Sequence, residues 1–163
     1  MKLYNNPYLS AGYAKAREGM VMIRPYEVPR GQVLYRFYDS NRARTPQEGA
    51  NGPWWLEYEH FQTIRHFALR NGYTVSYAAR LFAAILYEWS EVNAWVACEV
   101  TQPLHAWKGR GKQVASTGSD ARDTATMTPM QSVLEIYQLV LPGVGGKSSI
   151  ASSVLAVVKH DTL

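Results

Sequence analysis

Val33-Leu34-Tyr35-Arg36-Phe37-Tyr38-Asp39-Ser40 is the stretch that decides how this chain is read. Apolar and aromatic residues crowd it, and it opens after Pro29 and Gly31, so it predicts a β-strand over 33–39. Arg36 sits in its middle. A guanidinium enclosed by a sheet needs an anion, because an unpaired buried charge is costly. That anion is either a carboxylate of the chain, with Glu99 the candidate across the sheet, or the phosphate of a ligand. A planar guanidinium grips a phosphate through two parallel hydrogen bonds.

The pattern on either side sets the fold class. Residues 1–19 are polar and tyrosine-rich and read as a loosely ordered lead-in with a short helix near Ala11–Arg17. Met20–Ile23 reads as a short strand ending at Arg24-Pro25. Residues 40–53 form a polar loop with two glycines and two prolines, long enough to be functional. Trp55, Tyr58, Phe61, Ile64 and Ala68 recur at spacings of three and four, which predicts a helix over Trp54–Asn71 with Gly72 as its stop. A second helix, capped by Thr74 or beginning at Ser76, is expected to reach Trp89. Residues 93–100 predict an interior strand. Residues 103–130 read as irregular and contain a basic glycine loop, Trp107-Lys108-Gly109-Arg110-Gly111-Lys112-Gln113. Strands are expected again at Leu134–Leu141 and Ser152–Lys159, with a flexible turn at Pro142–Gly146 between them. The order β-β-α-α-β-β-β, with two helices inserted between strands, predicts an α+β fold with a mixed or antiparallel sheet core.

At 163 residues the chain is one domain's worth, 1–163, with a real core. It is 47% hydrophobic and 18% charged, a globular balance rather than a disordered one. The net charge of +4 tolerates an acidic partner, but the basic residues are scattered rather than blocked. The single Cys98 excludes an internal disulfide and fits a reducing compartment. No run of eighteen apolar residues predicts a membrane span, and no basic-then-apolar start predicts a secretory signal. The expectation is a cytoplasmic protein, or one delivered into a host cytosol without a signal peptide. Eleven tyrosines and five tryptophans suit either a planar ligand or a partner surface.

Three motifs carry chemistry. Gly145-Gly146-Lys147-Ser148 after a strand has the end of a phosphate-binding loop, but Leu141 stands where the first glycine belongs and only 15 residues follow. A glycine turn is the preferred reading. His60 and His66, six apart on a helix, fall on different faces, so no metal site is expected. The third motif joins Tyr35-Arg36-Phe37-Tyr38-Asp39-Ser40, the strand Trp95–Val100 and the segment Gln131–Gln138.

In that order the three pieces resemble the ADP-ribosyltransferase family of the cholera and pertussis toxin type, over roughly residues 33–142. The resemblance implies an ADP-ribosyltransferase-like sheet and NAD as co-substrate. It implies that Arg36 anchors the pyrophosphate, that Tyr38 or Trp54 stacks on nicotinamide, and that Ser40 continues the cofactor-binding strand. Glu135 would face the sugar cation that forms as nicotinamide leaves, as a carboxylate does in glycoside hydrolysis. The chain departs from the pattern at two points. Gly52-Pro53-Trp54-Trp55 stands where the family has a Ser-Thr-Ser-like strand end, and Val133 stands two residues before Glu135. Gln138 and Glu99 are therefore alternative holders of the catalytic role. The function implied is a toxin or effector that modifies a host macromolecule. The alternative is a non-catalytic phage or bacterial inhibitor that binds a protein partner through an aromatic surface. Nucleic-acid contact through the basic glycine loop is the less favoured reading.

Overall fold

A computed structural model describes residues 3–130 and 135–163. It is a mixed α+β structure built on a large antiparallel sheet. The strands are β1 (Met20–Val28), β2 (Val33–Tyr38), β3 (Trp54–Glu57), β4 (Ala94–Val100), β5 (Leu104–Gly111), β6 (Val114–Ala115), β7 (Thr126–Met127), β8 (Tyr137–Val140) and β9 (Leu155–Thr162). The helices are α1 (Leu9–Gly19), α2 (Pro46–Gly49), α3 (Tyr58–Asn71), α4 (Val75–Ala83) and α5 (Ala151–Val154). Seven strands form one sheet in the order β1-β5-β8-β3-β2-β4-β9, and β6 and β7 form a separate ribbon.

The sheet is nearly two sheets. β2 pairs with β4 along its whole length, from Val33↔Glu99 to Tyr38↔Ala94. It meets β3 only at Leu34↔Glu57 and Tyr35↔Leu56. Beyond Tyr35 the two strands part, and the start of β3 pairs instead with β8 at Trp54↔Val140 and Trp55↔Leu139. A half-sheet β1-β5-β8-β3 and a half-sheet β2-β4-β9 thus diverge from a two-residue seam.

Alternation along β2 sends its side chains to two cores. Tyr35 and Phe37 join Leu56, Trp95 and Ala97 against Phe61, Ile64 and Phe82 of α3 and α4. Leu34 and Tyr38 join Trp55, Val96, Cys98 and Leu139 on the opposite face. Arg36 lies between Leu34 and Tyr38 on that second face.

Several expectations change in three dimensions. Trp54–Glu57 is strand β3 and not the first turn of a helix, because its backbone groups are taken by β8 and β2. The helix begins at Tyr58 and ends at Gly72 in the left-handed conformation (φ 69°), as expected. α4 is capped by Thr74, whose hydroxyl accepts from the Tyr77 N–H, but it stops at Ala83 rather than Trp89. β1 runs through Pro25 because it is an edge strand, where a missing N–H is tolerated. Residues 104–111, read as part of an irregular region, are the interior strand β5 between β1 and β8. The last strand begins only at Leu155, after the short α5.

The expected loose lead-in is docked. Asn5 is fully buried: its Nδ2 donates to His105 O (2.9 Å) and Pro142 O (3.0 Å), and its Oδ1 accepts from His105 N (2.8 Å). α1 then packs on β5 and β8, with Ala16 at zero exposure and Gly12 pressed against Pro142. Asn5→Ala orphans these buried backbone groups and should lower unfolding free energy by about 2–3 kcal/mol. A urea titration checks this; a loss below about 0.5 kcal/mol would mean the segment contributes nothing.

Candidate ligand-binding cleft

A cleft of about 620 Å³ opens where β2 and β3 part. That volume lies within the range of about 300–1,000 Å³ found for small-molecule sites. Arg36, Tyr38, Trp54 and Gln138 all line it. Four residues chosen from sequence therefore share one wall system, although they come from three strands.

Arg36 bridges the split. Its Nε donates to Gly49 O (3.0 Å) and its Nη1 to Trp54 O (3.1 Å). The side chain thus supplies donors where the separated β2 backbone cannot reach. No carboxylate lies within ion-pair distance of it among the described residues, and Glu99 points to solvent beside Val33 instead. The enclosing protein lowers the guanidinium pKa to about 10, so it stays charged at neutral pH. Its Nη2 donates to no described residue. A part-buried cation paired to no carboxylate among the described residues thus faces a cavity whose lining also includes Lys15, Glu18, Asp39, Arg42 and Glu48.

Local sequence explains the seat. Thr45 caps α2 through the Glu48 N–H, and Pro46 occupies its first turn. This turn presents the Gly49 carbonyl to Arg36. Trp55 Nε1 donates to Gly52 O (2.7 Å) and fixes the next residues. Three glycines then receive the cleft side chains directly. A Cβ on Gly52 would stand 2.1 Å from the Arg36 guanidinium carbon, one on Gly49 2.8 Å from the Tyr38 ring, and one on Gly19 2.8 Å from the Trp54 ring. The loop 40–53 is thus a mould for Arg36 and Tyr38.

The remaining candidates stand elsewhere. Ser40 does not line the cleft; its N–H donates to Asn93 Oδ1 (2.8 Å) and ties the end of β2 to the start of β4. Glu135 is exposed beside Arg110 (3.6 Å), accepts a hydrogen bond from the Tyr137 hydroxyl (2.8 Å), and does not line the cleft. Gln138, three residues on, is 8% exposed and faces it, with no side-chain hydrogen bond to a described residue. Residues 131–134, which include Gln131 and Val133, lie outside the described residues. The Gly145-Gly146-Lys147-Ser148 segment is a turn, with Gly143, Gly145 and Gly146 at positive φ, that leads to α5 and β9. Cys98 is fully buried, and burial pushes its thiol up to about 12, which suits packing and not nucleophilic attack.

Sequence reasoning missed a second polar cluster, spread over β1, β3, β5 and α3. Glu57 accepts from Lys108 Nζ (2.6 Å), the Tyr26 hydroxyl (2.8 Å) and Gln32 Nε2 (3.2 Å). The Lys108 ammonium also lies over the Tyr26 ring at 4.5 Å. Glu57, Glu59 and His60 bring ligand atoms within 4.8 Å of one another, but the Glu57 carboxylate is already committed to Lys108. Burial pushes Glu57 up, and the bonds from Lys108, Tyr26 and Gln32 outweigh it, leaving the group below its ordinary 4.5. Burial pulls His60 below its ordinary 6.5 against the pull of Glu59 and Glu57. Glu57, Glu59 and His60 are close in sequence, but only the sheet brings Tyr26 and Lys108 to them, and no spacing rule links those strands.

No protein-family model matches the chain, and no curated protein matches it in sequence. Two solved structures do share its fold. A chain from the structure of Tne2 in complex with Tni2 is 14% identical, with 87% of this chain and 92% of that chain covered and a TM-score of 0.51. A chain from the structure of Rhs1-CT in complex with its cognate immunity protein RhsI1 is 10% identical, with 89% and 84% covered and a TM-score of 0.51. At these identities the likeness is one of architecture. Among the described residues no helix is long and apolar enough to cross a membrane.

Two measurements follow from the site. Gly52→Val must displace the Arg36 guanidinium from Gly49 O and Trp54 O, so the melting temperature should fall by about 4 °C or more; an unchanged melt would mean the seat is dispensable. Acid should destabilise the protein in two stages. Below pH 6.5 the unfolded chain protonates His60 before the folded one does, and stability begins to fall. Below 4.5 the unfolded chain protonates Glu57 first, and the fall steepens. In chemical denaturation across pH, His60→Gln should flatten only the upper stage.

Proposed function

We propose that this chain is one half of a toxin–immunity pair, that it engages a protein partner, and that it is the effector half, taking NAD at the Arg36 cleft. One observation carries the effector assignment. The charged Arg36 guanidinium, paired to no carboxylate among the described residues, opens onto a cavity of about 620 Å³ that Tyr38, Trp54 and Gln138 also line. A pyrophosphate supplies the missing anion, the aromatic rings suit a planar base, and the Gln138 amide offers both a donor and an acceptor. The protein partner is supported by the two structures of like fold, each a complex of two proteins, one of them with a cognate immunity protein. The ADP-ribosyltransferase-like reading of the fold is part of this proposal and rests on the sequence resemblance around Arg36. In this reading Gln138, the candidate that lines the cleft, takes the role expected of Glu135 and faces the sugar cation formed as nicotinamide leaves.

A second reading has its own observation. Glu135 stands outside the cleft, exposed beside Arg110, as it would in a protein without catalysis. Tyr58, Leu69, Tyr73 and Tyr77 on and around α3 and α4 are large and exposed, which suits a non-catalytic inhibitor that docks on a partner.

Calorimetry with NAD separates the two. The effector reading expects binding that weakens about 10- to 100-fold in Arg36→Ala, the value of a charge-assisted hydrogen bond. It also expects nicotinamide release that drops in Gln138→Ala and is little changed in Glu135→Ala. No binding of NAD, together with a stoichiometric partner whose capture ignores Arg36→Ala, would leave the inhibitor reading standing.

A further inference from the structure

The segment between α4 and β4, residues 84–92, is a strap along the cleft. It was expected to be the end of a helix, and its departure from helix is held in place by side chains from four directions. Arg80, 2% exposed, donates to Ile85 O (3.1 Å) and Ser90 O (2.6 Å). Arg42 donates to Trp89 O (2.7 Å) and Glu88 O (3.1 Å). Asp39 accepts from Glu91 N (3.0 Å), and Asp123 accepts from Tyr87 N (2.8 Å) and Glu88 N (2.9 Å). Ala84 and Leu86 bury against Val114, and Met127 packs on them, so the strap also rests on the β6–β7 ribbon.

Both ends of the strap are strained. Ala84 (φ 52°) and Val92 (φ 49°) hold the left-handed conformation that a side chain disfavours, most of all a β-branched one. Such residues persist only where their surroundings over-determine them, and they cluster at ligand sites. The set of pins just described supplies that over-determination.

At the crest of the strap is Trp89. Its N–H donates to Leu86 O (3.1 Å) and its carbonyl accepts from Arg42, so its backbone is fixed. Its side chain is not buried: the residue is 47% exposed, lines the same cleft as Arg36, and has no aromatic partner among the described residues. A large indole with a fixed backbone and a free face is pre-organised for a planar guest.

We infer that Trp89 is a binding residue of the cleft, and that its indole stacks on a heteroaromatic ring of the ligand whose phosphate meets Arg36. The assignment rests on the Arg36 cleft taking a nucleotide. Ile85 and Ser90, which also line the cleft from the strap, form the wall beside the stacked ring. Arg42 and Asp39 also line the cleft, and through their bonds to the strap backbone they are positioning residues for Trp89.

The test compares two probes that share the phosphates and differ in the rings. Wild type, Trp89→Ala, Trp89→Phe and Arg36→Ala are titrated calorimetrically with NAD and with inorganic pyrophosphate. Thermal melts confirm that each variant folds. Trp89→Ala should weaken NAD about tenfold or more, as loss of one base–aromatic stack does, and leave pyrophosphate unchanged. Trp89→Phe should restore most of the NAD affinity, and Arg36→Ala should weaken both probes. A footprint on the wild-type chain supplies a readout free of any variant: NAD, but not pyrophosphate, should shield Trp89 from hydroxyl-radical oxidation. NAD affinity unchanged in Trp89→Ala, or no shielding, overturns the stacking role while leaving the Arg36 cleft intact. Failure of wild type to bind NAD overturns both assignments together.

Discussion

The structure depends on a side chain doing the work of a missing strand pair. β2 and β3 touch over two residues and then separate, and at the point of separation a sheet would leave carbonyls unpaired. Arg36 reaches across and donates to Trp54 O on one side and Gly49 O on the other. This single guanidinium both closes the hydrogen-bond ledger of the split and leaves a positive charge on the wall of the opening. A backbone amide in its place would satisfy the carbonyls and leave no charge. The cleft exists because the half-sheets diverge, and it has a chemical character because arginine spans the divergence.

The rest of the cleft is built by letting backbone approach side chain closely. Gly19, Gly49 and Gly52 lack the Cβ that would strike Trp54, Tyr38 and Arg36. Two of these glycines belong to the 40–53 loop, whose short capped turn aims the Gly49 carbonyl. On the far side the 84–92 strap is fixed by charged groups, Arg42 and Asp39 among them, that follow directly on β2. The strand that carries Arg36 thus also carries, within six residues, the pins for the opposite wall.

The sheet edges are managed differently. β1 is interrupted by Pro25 and by an irregularity in its register between Val21 and Arg24. β9 carries a register shift opposite Ala97 and Cys98, with Lys159 beside it. Bulges, proline and lysine are the devices by which edge strands avoid uncontrolled pairing with other chains.

What the sequence determined by itself was local. The crowding of apolar and aromatic residues around Arg36 marked β2, spacing marked the core face of α3, Gly72 marked its end, and Thr74 marked the start of α4. It also singled out Arg36, as a guanidinium within an apolar strand, and through the family resemblance Tyr38, Trp54 and Gln138; all four line the cleft. Tertiary structure decided the rest. Trp54–Glu57 continues the helical spacing of α3, yet it becomes a strand because β8 and β2 compete for its backbone. The glycine-rich 104–111 run lies in the middle of the sheet because its neighbours' register, and not its composition, gives it partners. Glu135 was selected through the family resemblance, with Gln138 as an alternative, and only the path of the chain into β8 sets one outside the cleft and the other inside. Trp89 was counted as the last turn of a helix, and the groups that pull it out of that helix come from residues 39, 42, 80 and 123, too far apart in sequence for any local pattern to reveal.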